Sequence, residues 1–168
     1  MNDLVEGIHN YPHAGRLIEN KTATDLNQIV SEAISLLNPP NHVQITIQGK
    51  LPEIFCERMS MGQVLQNLIG NAVKYIDKPG GVITISSSDG RLFWKIIVSD
   101  NGPGIEEKDH EKIFQMFCVL QPRDKIEASG VGLAVVKKIV EMYGGKVWAE
   151  SEIGKGSKFS FTLPKMEL

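Results

Sequence analysis

The chain has 168 residues, 42% of them hydrophobic, and 18 Lys and Arg against 20 Asp and Glu, for a formal net charge of −2. That length and apolar content suffice for one domain around a single core, and the lack of a basic surplus argues against nucleic acid as a partner. Cys56 and Cys118 are far apart, with no clustered Cys or His at metal spacing, and read as inert thiols of a reducing compartment. No apolar run approaches the ~20 residues that span a bilayer and Met1 opens no secretory leader, so the chain is expected to be cytoplasmic, with no membrane contact of its own.

Residues 1–21 carry Leu4, Ile8 and Tyr11 at near-helical spacing before Pro12 and Gly15 break the pattern, as at the end of a helix. Asp25 then stands where an N-cap belongs, ahead of Leu26, Ile29, Val30, Ala33, Ile34 and Leu37, with Pro39 and Pro40 as a stop. Val43, Ile45 and Ile47 alternate with polar residues, the period of a strand with one wet face. Over 60–77 the apolar residues Met61, Val64, Leu65, Leu68, Ile69, Ala72, Val73 and Ile76 share one side of a helix, and Gln63, Asn67, Asn71 and Lys74 line another. Two strands, 82–88 and 91–99, follow around an Asp89-Gly90 turn, the second with Leu92, Trp94, Ile96 and Val98 on one face. The stretch 105–129 has no clear period and reads as a functional lid or a disordered loop. Gly132 opens a helix that ends at Gly144-Gly145, and strands 146–151 and 157–163 close the chain around Gly154-Lys155-Gly156. The sum is an α/β two-layer sandwich, mostly antiparallel, with helices on one face.

Three features converge on a nucleotide. Asp100 ends a hydrophobic strand, so its carboxylate is expected to be half-buried and to need a donor, which an adenine amine can supply. The same Asp-Asn-Gly-Pro-Gly is also an ordinary turn sequence in which Asp caps its own backbone. Gly102 and Gly104 allow a close backbone approach. Asn67, Asn71 and Lys74 share a helix face; the Asn71 amide oxygen suits Mg²⁺ and Lys74 suits phosphate, although without the glycine turns the stripe reads better as a solvated face. Gly130-Val131-Gly132 precedes a helix and offers amides to an anion, but it satisfies neither the dinucleotide fingerprint nor the Walker loop. Arg123 is a candidate contact for a terminal phosphate, and equally a solvated loop residue. His9, His13, His42 and His110 form no metal spacing and are expected at the surface.

Taken in order, the run Gln63 to Tyr75, Asp100-Asn101-Gly102-Pro103-Gly104-Ile105, Lys112-Ile113-Phe114-Gln115-Met116-Phe117 and Gly130-Val131-Gly132-Leu133 resembles the asparagine, first glycine, phenylalanine and second glycine boxes of sensor histidine kinases, over about 25–165. The resemblance implies the ATP-binding catalytic domain of a two-component kinase, with the Bergerat fold of gyrase, mismatch-repair and heat-shock ATPases. It implies ATP and Mg²⁺, with Asp100 on the adenine amine, Asn71 on the metal, and Lys74 and Tyr75 bordering the nucleotide. Asn67, Gly102, Gly104, Ile105, Phe114, Gly130, Val131, Gly132 and Leu133 complete the implied contacts, and Asn67, Lys74 and Arg123 the implied catalytic set. Asn67 stands where hydrolytic relatives carry a glutamate base, which implies poor water activation and a γ-phosphate kept for a histidine.

No histidine here fits the family's acceptor motif. The resemblance therefore implies that residues 1–21 are the tail of a dimerisation and phosphoacceptor hairpin, that 22–168 form the catalytic domain, and that the chain is cut from a longer kinase. Its partners would be that hairpin and a response regulator receiver domain. Alone it is expected to be a monomer that does not autophosphorylate. Pro12 and Ala128 depart from the family pattern. A serine kinase of the anti-sigma type and a non-catalytic nucleotide-sensing or docking module remain the alternatives.

Overall fold

The structure is a computed structural model, and it describes residues 21–76, 78–115 and 132–165. The expectations for the 1–20 tail, Phe117, Cys118, Arg123, Ala128, Gly130 and Val131 lie outside the described residues.

Chain order is β1 (Thr22–Asp25), α1 (Leu26–Leu37), β2 (Val43–Ile47), β3 (Glu53–Cys56), α2 (Arg58–Tyr75), β4 (Gly81–Asp89), β5 (Phe93–Asp100), two 3₁₀ turns (Glu107–Asp109 and Lys112–Phe114), α3 (Gly132–Met142), β6 (Val147–Glu152) and β7 (Gly156–Pro164). Five strands form one sheet in the order β2-β4-β5-β7-β6. Only β2 and β4 are parallel, with Val43 opposite Gly81. A parallel pair needs a crossover, and α2 lies in it, which brings the asparagine-bearing helix onto the sheet.

The period of two fixes which face is covered. Ile85, Val98, Phe159 and Ala149 stand in one cross-strand row and Ile96 and Phe161 in the next, all buried. Leu26, Ile29 and Val30 of α1, Val64, Leu65, Leu68 and Ile69 of α2, and Val136, Ile139 and Val140 of α3 close over that face. The result is the expected α/β two-layer sandwich with a mixed, mostly antiparallel sheet.

Local chemistry sets the helix ends. Asp25 Oδ1 accepts the Asn27 N–H at 2.9 Å and caps α1, as its position predicts. Helix α2 begins two residues before the expected 60, because the buried Glu57 carboxylate caps it, accepting from the Ser60 amide at 3.2 Å and from the Ser60 hydroxyl. Glutamate is not a customary cap, so the pattern hides this start. After α3, Gly144 adopts φ +86° and the Gly145 N–H returns to the Val140 carbonyl, ending the helix at the expected glycines.

Two details differ from expectation. A small antiparallel sheet pairs β1 with β3, Thr22 opposite Cys56; its strands are four residues each, too short for an alternation to register. Asp89 pairs with Trp94 and the β4–β5 turn spans Gly90 to Leu92, so Leu92 lies outside the strand, 68% exposed. At the other end of the hairpin Asn101 Oδ1 accepts the Val82 N–H at 2.8 Å and Nδ2 donates to the Gly80 carbonyl at 3.1 Å.

Cys56 fits its expected inertness: burial pushes the thiol up to about 11. Ser160, 1% exposed, faces Trp148 and Ile97 across the sheet and its hydroxyl has no hydrogen-bond partner. A buried hydroxyl left unpaired costs about 1 kcal/mol or more. Ser160→Ala should therefore raise the thermal midpoint by about 2–4 °C, as read by circular dichroism melts of the two proteins.

Candidate functional site

Helix α2 buries Val64, Leu65, Leu68, Ile69 and Ala72, which leaves Asn67, Asn71 and Lys74 half-buried along its flank. That flank meets the start of α3: Asn67 Nδ2 donates to the Gly132 carbonyl at 3.2 Å. An amide is no base at neutral pH, and this one is committed to a backbone contact between two helices. At the last turn of α2 the Lys74 ammonium sits 5.3 Å from the Tyr75 ring centroid, a cation–π distance.

Strand β5 ends at Asp100 beside this helix. Asp100 Oδ1 accepts the Gly102 N–H at 2.8 Å, so the aspartate does cap its own turn; a carboxylate has further lone pairs, and acceptor capacity remains. The side chain is half-buried, and burial raises its pKa above the ordinary carboxylate value although the Gly102 and Ser157 amides pull it down. A Cβ at Gly102 would stand 3.0 Å from Asp100 Oδ1 and 3.5 Å from the Tyr75 carbonyl, so the turn is pressed against the end of α2.

On its other side the turn is pressed against the β6–β7 hairpin. Gly104 has φ +84°, and a Cβ there would lie 2.3 Å from the Glu152 carbonyl oxygen. The Gly154 N–H donates to the Pro103 carbonyl at 2.8 Å. The tight approach that Gly104 permits is therefore to the chain itself. Ile105 is half-buried against the core, and Phe114 is 7% exposed with its ring edge-on to Phe159 at 6.1 Å. Leu133 packs against the core one residue into α3.

The structure thus brings Asn67 together with Gly132, and Tyr75 together with Gly102 and Asp100, two contacts at opposite ends of one helical flank. With this geometry in hand, comparison with known proteins decides the family: residues 56–167 match the histidine kinase-, DNA gyrase B-, and HSP90-like ATPase family. The chain belongs to that family. It is similar to cyanobacterial phytochrome B of Nostoc sp., 40% identical over 168 residues, with 97% of this chain and 22% of that protein covered. It therefore spans about a fifth of the length of this relative. Among solved structures it resembles the catalytic domain of histidine kinase ThkA, at 29% identity and TM-score 0.69, over 86% of this chain and 95% of that one. It also resembles ThkA in complex with the response regulator protein TrrA, at 28% identity and TM-score 0.68, over 87% of this chain and 42% of that one. The domain is an ATP-binding catalytic domain of the sensor histidine kinase type, as its motifs imply.

Sequence reasoning missed the residues that hold the turn. Asn101 fastens it to β4, Ser151 and Gly156 fasten it to the last hairpin, and His110, half-buried, places Nε2 3.1 Å from the Ile105 carbonyl. His110 corrects the expectation of four surface histidines; His42 is exposed as expected, and His9 and His13 lie outside the described residues. Each partner is remote in sequence or carries no motif, apart from the second glycine of Gly154-Lys155-Gly156, whose turn was legible though its contact was not.

The raised pKa of Asp100 has a signed consequence. The folded state holds that proton more tightly than the unfolded chain, so this group's contribution to stability falls as pH rises through its raised pKa. Asp100→Asn keeps an acceptor for the Gly102 amide and removes the buried charge. The ligand-free variant should be more stable than the parent at about pH 7, with the gap closing toward about pH 4, as denaturant titrations at the two pH values would show.

Proposed function

We propose that this domain binds ATP along the flank of α2 and donates its γ-phosphate to a histidine on a helical hairpin, from which a response regulator receiver domain receives it. One observation carries the assignment: a half-desolvated carboxylate, Asp100, lies at one end of an amide and ammonium stripe whose other end meets a helix N-terminus. Asp100 accepts the exocyclic amine of adenine, and its poor hydration makes that hydrogen bond selective. Tyr75, Gly102 and Gly104 border the base, with Ile105 and Phe114 behind them. Lys74 carries its cation toward phosphate, and Gly132 and Leu133 at the start of α3, with Gly130 and Val131 ahead of them in sequence, are assigned to the same anion. Arg123 is assigned to the terminal phosphate.

Mg²⁺ suits the donor set. Residues 58–75 include no Asp or Glu, so Asn71 would hold the ion through one neutral oxygen while phosphates supply the charge, the division of ligands that Mg²⁺ favours. The bound ion would neutralise phosphate charge. Asn67, with its amide on the Gly132 carbonyl, holds α2 to α3 and activates no water, which favours transfer to a partner over hydrolysis.

Residues 1–21 are assigned to the tail of the acceptor hairpin and 22–168 to the catalytic domain. A cytoplasmic, monomeric chain fits this reading; among the described residues no helix is long and apolar enough to cross a membrane. Calorimetric titration with a non-hydrolysable ATP analogue should give one saturable site that Mg²⁺ strengthens. Asn71→Ala should abolish the Mg²⁺ enhancement and leave Mg²⁺-free binding within about twofold. ATP supplied with a separately produced acceptor hairpin should yield acid-labile phosphohistidine on the hairpin; binding without transfer would leave a nucleotide-sensing module.

A further inference from the structure

The first glycine turn does not hold its shape by itself. Its far end is fixed by a side chain 46 positions on: the Ile105 N–H donates to Ser151 Oγ at 2.7 Å. The Ser151 hydroxyl spends its one proton on the Gly156 carbonyl at 2.9 Å. The contact between Ser151 Oγ and Ser157 Oγ at 2.8 Å must then have Ser157 as donor. Ser157 is buried and pairs in register with Asp100, where the turn begins. Gly156, with φ +94°, lies so close that a Cβ would stand 2.0 Å from the Asp100 carbonyl oxygen. Ser157, paired with Asp100 through its backbone, and Ser151, bonded to Ile105 through its hydroxyl, therefore hold the first and last residues of the turn on one hairpin, and the contact between the hydroxyls links the two.

The structure assigns Ser151 as a positioning residue for adenine recognition: its hydroxyl, braced by Ser157, sets the span of the turn from Asp100 to Ile105 and so the placement of the Asp100 carboxylate. The chemistry is sparing, since three hydrogen bonds satisfy every proton and lone pair of the hydroxyl, and no apolar residue of the same size can replace it. Among the described residues the hydrogen bonds of the Ser151 hydroxyl go to Ile105, Gly156 and Ser157 and to none of Asn67, Asn71, Lys74 or Gly132, so its effect is expected on the base. The inference rests on Asp100 being the adenine contact.

The test is Ser151→Ala, with Ser151→Thr as the conservative rescue and Ser157→Ala as a variant that severs only the link between the hydroxyls. Affinities for non-hydrolysable ATP and GTP analogues are measured by calorimetry, and amide exchange at Ile105 by NMR. Ser151→Ala should weaken ATP-analogue binding about five- to thirtyfold, leave GTP-analogue binding nearly unchanged, and speed exchange at Ile105. Ser151→Thr should restore selectivity, and Ser157→Ala should show the same loss in smaller degree. Unchanged selectivity in both alanine variants, or equal losses for the two nucleotides, would overturn the positioning role. A parent chain without preference for ATP would instead overturn the adenine contact at Asp100, and exchange at Ile105 would still report whether the brace exists.

Discussion

Strand β5 is paired from Trp94 to Asp100 with β4 on one side and from Phe93 to Asp100 with β7 on the other, and its inward residues Ile96 and Val98 are fully buried. A one-residue slip would turn those side chains to the other face, so the strand has a single register and ends at one place. That place is Asp100. Helix α2, the start of β4 and the β6–β7 hairpin all reach the residues that follow, and the glycines at 102, 104 and 156 are what let them come so close.

The same packing explains how a destabilising charge is tolerated. Asp100 is held half-buried with its pKa raised, a cost that the unliganded domain bears at neutral pH. The compensation is spread over hydrogen bonds that a donor-bearing ligand does not have to break: Asn101 to Gly80 and Val82, Gly102 to Asp100, Gly154 to Pro103, Ile105 to Ser151. Under the proposed adenine contact, these bonds hold the glycine turn in place before the base arrives, which lowers the ordering cost of binding at the turn.

The flank of α2 shows a second division of labour. Asn67, which the family resemblance implies as a catalytic and nucleotide contact, is directed at the Gly132 carbonyl, so at least one of its functions is to seat α3 against α2. Lys74 and Tyr75 lie one helical turn or more further on, beside the glycine turn. Helical spacing placed these side chains on one face correctly, but spacing says nothing about which neighbour each would meet.

Much of this protein was legible without coordinates. Alternation in β2 and β5, the amphipathic period of the helices, the Asp25 cap and the glycine stops depend on neighbours within a few residues, and local periodicity reports them directly. The sandwich and the family followed from motifs in order. Tertiary structure decided what depends on distant partners: the pairing of β1 with β3, the parallel alignment of β2 with β4, the position of the β4–β5 turn, the half-burial of His110, and the Ser151–Ser157 pair that holds Ile105 to the last hairpin beside Asp100. Those outcomes are contests between remote contacts, and a one-dimensional pattern carries no term for the distance between residues 105 and 151.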